Sequence, residues 1–119
     1  MGLETKPDFI CLTGDFITNG APFDPIWYET LLRRLPSRAP CFAVLGNHDG
    51  GYWARINGGF GSTVEVSELL RRSGIPVLKN RAVDVEIRGQ RLRLAGVGDY
   101  WSREGTGAAA FAEPTDPAV

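Results

Sequence analysis

The sequence predicts an α/β domain in which helices join parallel core strands and an antiparallel hairpin is added late. Three observations predict it. Phe9-Ile10-Cys11-Leu12 and Cys41-Phe42-Ala43-Val44-Leu45 are apolar runs without alternation, as strands covered on both faces require. Between them lies a segment with helical spacing and its own start and stop residues. From Val83 to Leu94 the pattern changes to strict alternation, the mark of a half-buried hairpin.

After the first strand, Asn19-Gly20-Ala21-Pro22 reads as a loop. Asp24 followed by Pro25 is an N-cap with proline at the first helical position. Trp27, Leu31 and Leu35 then recur at helical spacing beside Tyr28 and Leu32. Arg33 and Arg34 suit the negative end of that helix, and Pro36 stops it. Cys41 to Leu45 completes a βαβ unit, whose strands are parallel with a right-handed crossover.

Tyr52 to Gly61 reads as a loop. Ser62 and Glu65 have capping-box spacing for a helix through Leu69 and Leu70, with Gly74 as its C-cap. Ile75 to Leu78 is a short apolar strand. In the hairpin, Gly89-Gln90 suits a type II′ turn, which pairs Ile87 with Leu92, Val85 with Leu94 and Glu86 with Arg93. Ala95-Gly96-Val97-Gly98-Asp99 repeats the pattern of an apolar strand ending in Gly-Asp. The reading divides the chain into a partial domain over 1–103 and an irregular tail over 104–119.

Composition excludes several function classes. In 119 residues, 13 basic side chains against 14 acidic ones leave no cationic excess for a nucleic-acid binder. The pairs Arg33-Arg34 and Arg71-Arg72 read as solvated helix faces and C-termini. Cys11 and Cys41 lack CxxC spacing and nearby histidines, which argues for buried reduced thiols rather than zinc ligands. No apolar stretch approaches the roughly 20 residues of a membrane span. No signal pattern opens the chain, so it reads as cytoplasmic as written, with export of a longer parent protein left open.

Two turns carry the chemistry. Gly14-Asp15 follows the first strand and Gly46-Asn47-His48-Asp49 follows the second, at the strand ends where open α/β sheets bind ligands. The oxygen donors Asp15 and Asn47 suit divalent metals, and an aspartate can bridge two ions. Alone, a Gly-Asp is ordinarily a turn, and a lone histidine ordinarily a hydrogen-bonded loop residue. The joint arrangement is far more specific. Asp99 at the third Gly-Asp reads equally as a site residue or a turn aspartate. Tyr52, Trp53, Tyr100 and Trp101 read equally as walls of a pocket or as loop packing.

These two motifs and their strands resemble the middle motifs of the calcineurin-like metallophosphoesterases. Pro7-Asp8-Phe9-Ile10-Cys11-Leu12-Thr13-Gly14-Asp15-Phe16 is especially similar to the bacterial branch of small phosphohydrolases in that superfamily. The resemblance covers roughly residues 7 to 101, strongest at the two motifs. It implies a partial metallophosphoesterase sandwich of βαβ units plus the antiparallel hairpin. By that resemblance Asp15 bridges two divalent metals (Mn, Fe, Zn or Mg) and Asn47 binds the second. His48 donates a proton to the leaving-group oxygen or stabilises the charge on the phosphoryl group, and Asp49 orients and charges its imidazole. The implied activity is hydrolysis of a phosphomonoester or phosphodiester, on a small-molecule or lipid-like substrate.

The departures from the family pattern set a further expectation. The first motif, an aspartate and a histidine two apart, does not occur, and His48 is the one histidine in the chain. The later Gly-His-x-His is also missing. The chain by itself is therefore expected not to assemble the complete site and to be inactive. It reads as a piece of a longer protein, since Met1 falls inside an expected helix and Val119 where another core strand should begin. A degenerate, non-catalytic chain that binds one weak metal or a partner is the alternative. Open strand edges then predict self-association.

Overall fold

The structure, a computed structural model, describes residues 2–18, 23–102 and 107–110. The loop expected at 19–22 lies outside the described residues, as does most of the tail. Strand β1 (Ile10–Leu12) pairs in parallel with β2 (Cys41–Ala43), Ile10 opposite Cys41 and Leu12 opposite Ala43. Helix α1 (Pro25–Leu32) crosses between them, so the expected βαβ unit is present. Its N-cap is Asp24, whose carboxylate accepts from the amides of Ile26 and Trp27 at 3.0 and 3.2 Å. Those amides have no partner within the helix, and proline at N1 brings no orphan N–H of its own.

The inward face of α1 is not the one the spacing suggested. Leu32 is buried and Tyr28 and Leu35 pack on the core, whereas Trp27 and Leu31 are exposed. Beyond β2 a second crossover contains α2 (Tyr52–Ile56), a helix where a plain loop was expected, and α3 (Val64–Arg72). The capping box expected at Ser62 and Glu65 does not form: Thr63 is the N-cap, with no side-chain cap bond. At its other end, Gly74 follows the C-cap Ser73 with φ +79°. Gly74 N–H bonds Arg71 O and Ile75 N–H bonds Leu70 O, the paired bonds of a Schellman ending.

Residues 75–78 then run parallel beside β2. Ala43 donates to Pro76 O, and Leu78 donates to Ala43 O, but only the Ala43–Val77 bridge qualifies as ladder. Strands β3 (Arg81–Ile87) and β4 (Gln90–Gly96) form the hairpin. Its register differs from the expectation by one residue in each strand. Ile87 faces Gln90, Val85 faces Leu92 and Val83 faces Leu94. The turn is Arg88-Gly89, both with positive φ (51° and 77°), which is the type I′ signature. Strand faces have period two, so each apolar residue keeps its side despite the shift. Acidic residues still face arginines, now as Asp84 with Arg93 and Glu86 with Arg91.

Alternation along β2 divides the core. Cys41 and Ala43 join Leu32, Val66, Leu69 and Leu70 on the helical side. Phe42 points the other way, onto Leu78, Val83 and Val85 of the hairpin side. The result is helices, parallel strands and hairpin in layers, a partial sandwich. The hairpin covers Phe42 but leaves Cys11 exposed, so one of the two expected buried thiols is at the surface. Ala95 and Gly96 belong to the antiparallel β4, so the third Gly-Asp follows a hairpin strand and not a parallel core strand. In the expected irregular tail, Gly107–Ala110 form a helical turn, α4, with Ala110 buried. Among the described residues no helix is long and apolar enough to cross a membrane.

Candidate active site

Both motif turns leave the same end of the parallel strands and touch. Gly14 has φ +97°, and a Cβ on it would overlap the backbone of Leu45 and Gly46. A Cβ on Gly46 would in turn overlap the carboxylate and amide of Asp15. Two glycines are needed face to face because the loops approach backbone to backbone. Asp15 itself sits in the left-handed region at φ 57°, a conformation that aspartate tolerates better than most residues and that clusters at functional sites. Its side chain stays exposed, and Asp15 Oδ1 accepts from the backbone amide of His48 at 3.2 Å.

Asp49 holds this contact together. It is fully buried at the end of the 3₁₀ turn Asn47–Asp49. Its Oδ2 accepts from the amides of Asp15 at 2.8 Å and Gly46 at 2.7 Å. Its Oδ1 accepts from Phe16 at 2.7 Å and Ile17 at 3.4 Å. Three successive amides of one loop and one of the other thus converge on a single carboxylate. Burial pushes the Asp49 carboxyl above its ordinary range, and the four amide donors, which favour the ionised form, restrain the rise. The same buried charge, after desolvation, helps raise the Tyr28 hydroxyl, which donates to Phe16 O at 2.6 Å and ties α1 to the loop.

This geometry corrects one expectation. Asp49 was expected to support the His48 imidazole, but its oxygens are turned inward to backbone amides, and His48 Nδ1 is buried with no hydrogen-bond partner. The tight 3₁₀ turn sends residues 48 and 49 in different directions. The ring instead lies against Trp53, centroids 4.9 Å apart and planes tilted by 55°. Trp53 is in the first turn of α2, and its amide donates to Ser102 Oγ at 3.3 Å. Ser102 is buried, and its own amide donates to Asp99 Oδ2 at 2.7 Å. Asp99 is therefore a turn aspartate with a long-range consequence. Trp53 and Asp99 were legible as open candidates. Nothing in the local sequence marks Ser102, whose contact spans 49 positions.

Tyr100 and Trp101 are exposed and pack edge to face with each other, while Arg55 lies over the Tyr52 ring. On the donor side, the Asn47 carboxamide and Asp15 Oδ2 make no hydrogen bond within the described residues, as ligand oxygens would require. Among the described residues, however, no three His, Cys, Asp or Glu side chains are grouped to hold a metal ion. Asp15 and Asn47 offer oxygen donors of the kind a divalent metal takes.

Paired Gly-Asp and Gly-Asn-His-Asp turns at adjacent parallel strand ends, within a layered α/β sandwich, define a phosphoesterase-type scaffold. The family model for calcineurin-like phosphoesterases matches residues 2–106, and the chain belongs to that family. It is similar to Phosphodiesterase YaeI of Escherichia coli (strain K12), with 33% identity over 102 residues, which is 86% of this chain. The match covers 36% of that protein, so the chain spans about a third of the length of the curated relative it matches. No solved structure matches the chain.

Proposed function

We propose that this chain carries the central motifs of a metal-dependent phosphoester hydrolase, with Asp15 as bridging carboxylate, Asn47 as ligand of the second metal and His48 as acid for the leaving group. The observation that carries the reading is the Asp49 clamp, which fixes an exposed carboxylate beside the Asn47-His48 turn at the strand ends. Two divalent ions, when bound, would neutralise phosphoryl oxygens and acidify a water for in-line attack. The protein's own part is positional. Asp49 sets the spacing of the two turns, and His48 hands a proton to the departing alcohol oxygen. A phosphodiester is the favoured substrate, because the E. coli relative is named a phosphodiesterase. A monoester and a lipid-like leaving group are the other substrates of the reading.

The rest of the ligand set is supplied by residues beyond those brought together here. A manganese-supplemented assay of this chain with chromogenic phosphomonoesters and phosphodiesters is expected to give background turnover. A longer version bearing an upstream Asp-x-His and a downstream Gly-His-x-His is expected to hydrolyse the diester. It should lose about a hundredfold or more in Asp15→Asn and His48→Ala. Turnover by the short chain that disappears in His48→Ala would overturn the incomplete site.

A second reading has its own observation. The outer edge of β1 is unpaired among the described residues, with Cys11 exposed on the strand. A non-catalytic chain would use that edge to pair with a partner or a second copy. Stop codons flanking the chain in its gene, together with concentration-dependent dimerisation, would favour this reading over the hydrolase.

A further inference from the structure

We infer that Asp99 and Ser102 act as positioning residues for His48, through the indole of Trp53. The inference deepens the proposed catalytic role of His48 and rests on it. A ring that shuttles protons needs its orientation fixed, ordinarily by a hydrogen bond to its second nitrogen. Here that support is absent: Nδ1 is buried without a partner, and the carboxylate next in sequence, Asp49, accepts from backbone amides instead. The imidazole lies instead against the Trp53 ring, centroids 4.9 Å apart and planes tilted by 55°.

The position of Trp53 is in turn set from far along the chain. Helix α2 starts at Gly51, which has no side chain to cap it, so its first-turn amides need acceptors from elsewhere. Ser102 Oγ takes the Trp53 amide and does in trans what an N-cap serine does locally. Ser102 is buried, and Asp99 holds its amide in a three-residue turn. The segment after β4 is thereby wired to the catalytic loop after β2. A catalytic acid misplaced by an ångström loses much of its effect, so this remote turn governs catalysis without touching substrate.

His48 is the chain's one histidine, so its Cε1 proton gives one isolated signal in a carbon-edited NMR spectrum of the 119-residue chain. In the wild type the signal is displaced by the Trp53 ring, and Trp53→Leu defines its position without that ring. Ser102→Ala and Asp99→Ala are expected to move the signal most of the way toward the Trp53→Leu position. Ser102→Thr and Asp99→Asn, which keep an acceptor oxygen, are expected to leave it near wild type. Tyr100→Ala, an exposed neighbour outside the relay, should not move it. A His48 signal unmoved in both alanine variants overturns the relay, even where the melting temperature falls, since packing alone predicts that fall. Failure of His48 as the acid appears separately, as full activity of His48→Ala in the longer enzyme.

Discussion

The two motif turns and the hairpin are held by opposite means. At the turns, one buried carboxylate gathers four backbone amides from two loops that lie 29 or more positions apart. In the hairpin, a regular ladder carries the backbone, and the charged groups form exposed pairs such as Asp84–Arg93 and Asp8–Arg88. The first arrangement is dense and unforgiving, because every amide it loses is left unpaired in the interior. The second is redundant, because water replaces a lost surface partner. Precision of the site is thus bought at a single side chain, while the hairpin serves as a cover for Phe42 whose surface tolerates change.

The largest expected break in this comparison is Asp49→Ala. Removing the acceptor strands the amides of Gly46, Asp15, Phe16 and Ile17, and the expected loss is about 3 kcal/mol in urea unfolding. Asp49→Asn should lie between, since the amide nitrogen cannot accept from two of the donors. A loss no larger than that of a surface substitution would mean that the clamp does not hold the loops. Gly46→Ala comes next. Its methyl would collide with the Asp15 carboxylate and amide, and a cost of about 2 kcal/mol is expected, with the Asp15 loop displaced. The same methyl at Gly89 of the hairpin meets no atom, so its penalty is confined to the positive φ.

How much of this could be read from the chain depended on whether the cause was local. Asp24-Pro25 gave the helix start because both effects act within three residues. The apolar runs gave β1 and β2, and Gly14-Asp15 with Gly46-Asn47 gave the two turns that meet at their ends. The hairpin was legible but its register was not, since Arg88-Gly89 takes the φ values that asparagine-glycine usually supplies. Likewise Trp27 and Tyr28 both fit a helical stripe, and only the position of the sheet decides that Tyr28 faces inward. Asp49 was recognised with the wrong partner. Its side chain direction depends on the 3₁₀ turn and on the loop 32 to 34 residues earlier, neither of which is written beside it. Ser102 acts over a longer distance still.

Hydrogen exchange sharpens the comparison without a mutation. The amides of Asp15 and Phe16 lie in a loop, yet their bonds to a buried carboxylate should protect them as strongly as the amides of β2. Amides of β4 near Arg91 and Leu92, on an exposed stretch, should exchange faster. Fast exchange at Asp15 and Phe16 would contradict the dense arrangement, even in a chain of normal overall stability.

The smallest effect belongs to the hairpin surface. Arg93 holds the Asp84 carboxylate with two bonds, at 2.9 and 3.2 Å, and keeps its pKa below the usual carboxylate range. A depressed folded-state pKa contributes stability above the unfolded value of about 4, and that contribution disappears as pH falls through the folded one. Asp84→Asn should therefore melt slightly lower than wild type at pH 7, and the two melting curves should converge in acid. The difference should also shrink in high salt, because the pair faces solvent. A gap that persists unchanged at low pH would assign the loss to packing of the β3–β4 face, and the hairpin would then resemble the motif turns more closely than its geometry suggests.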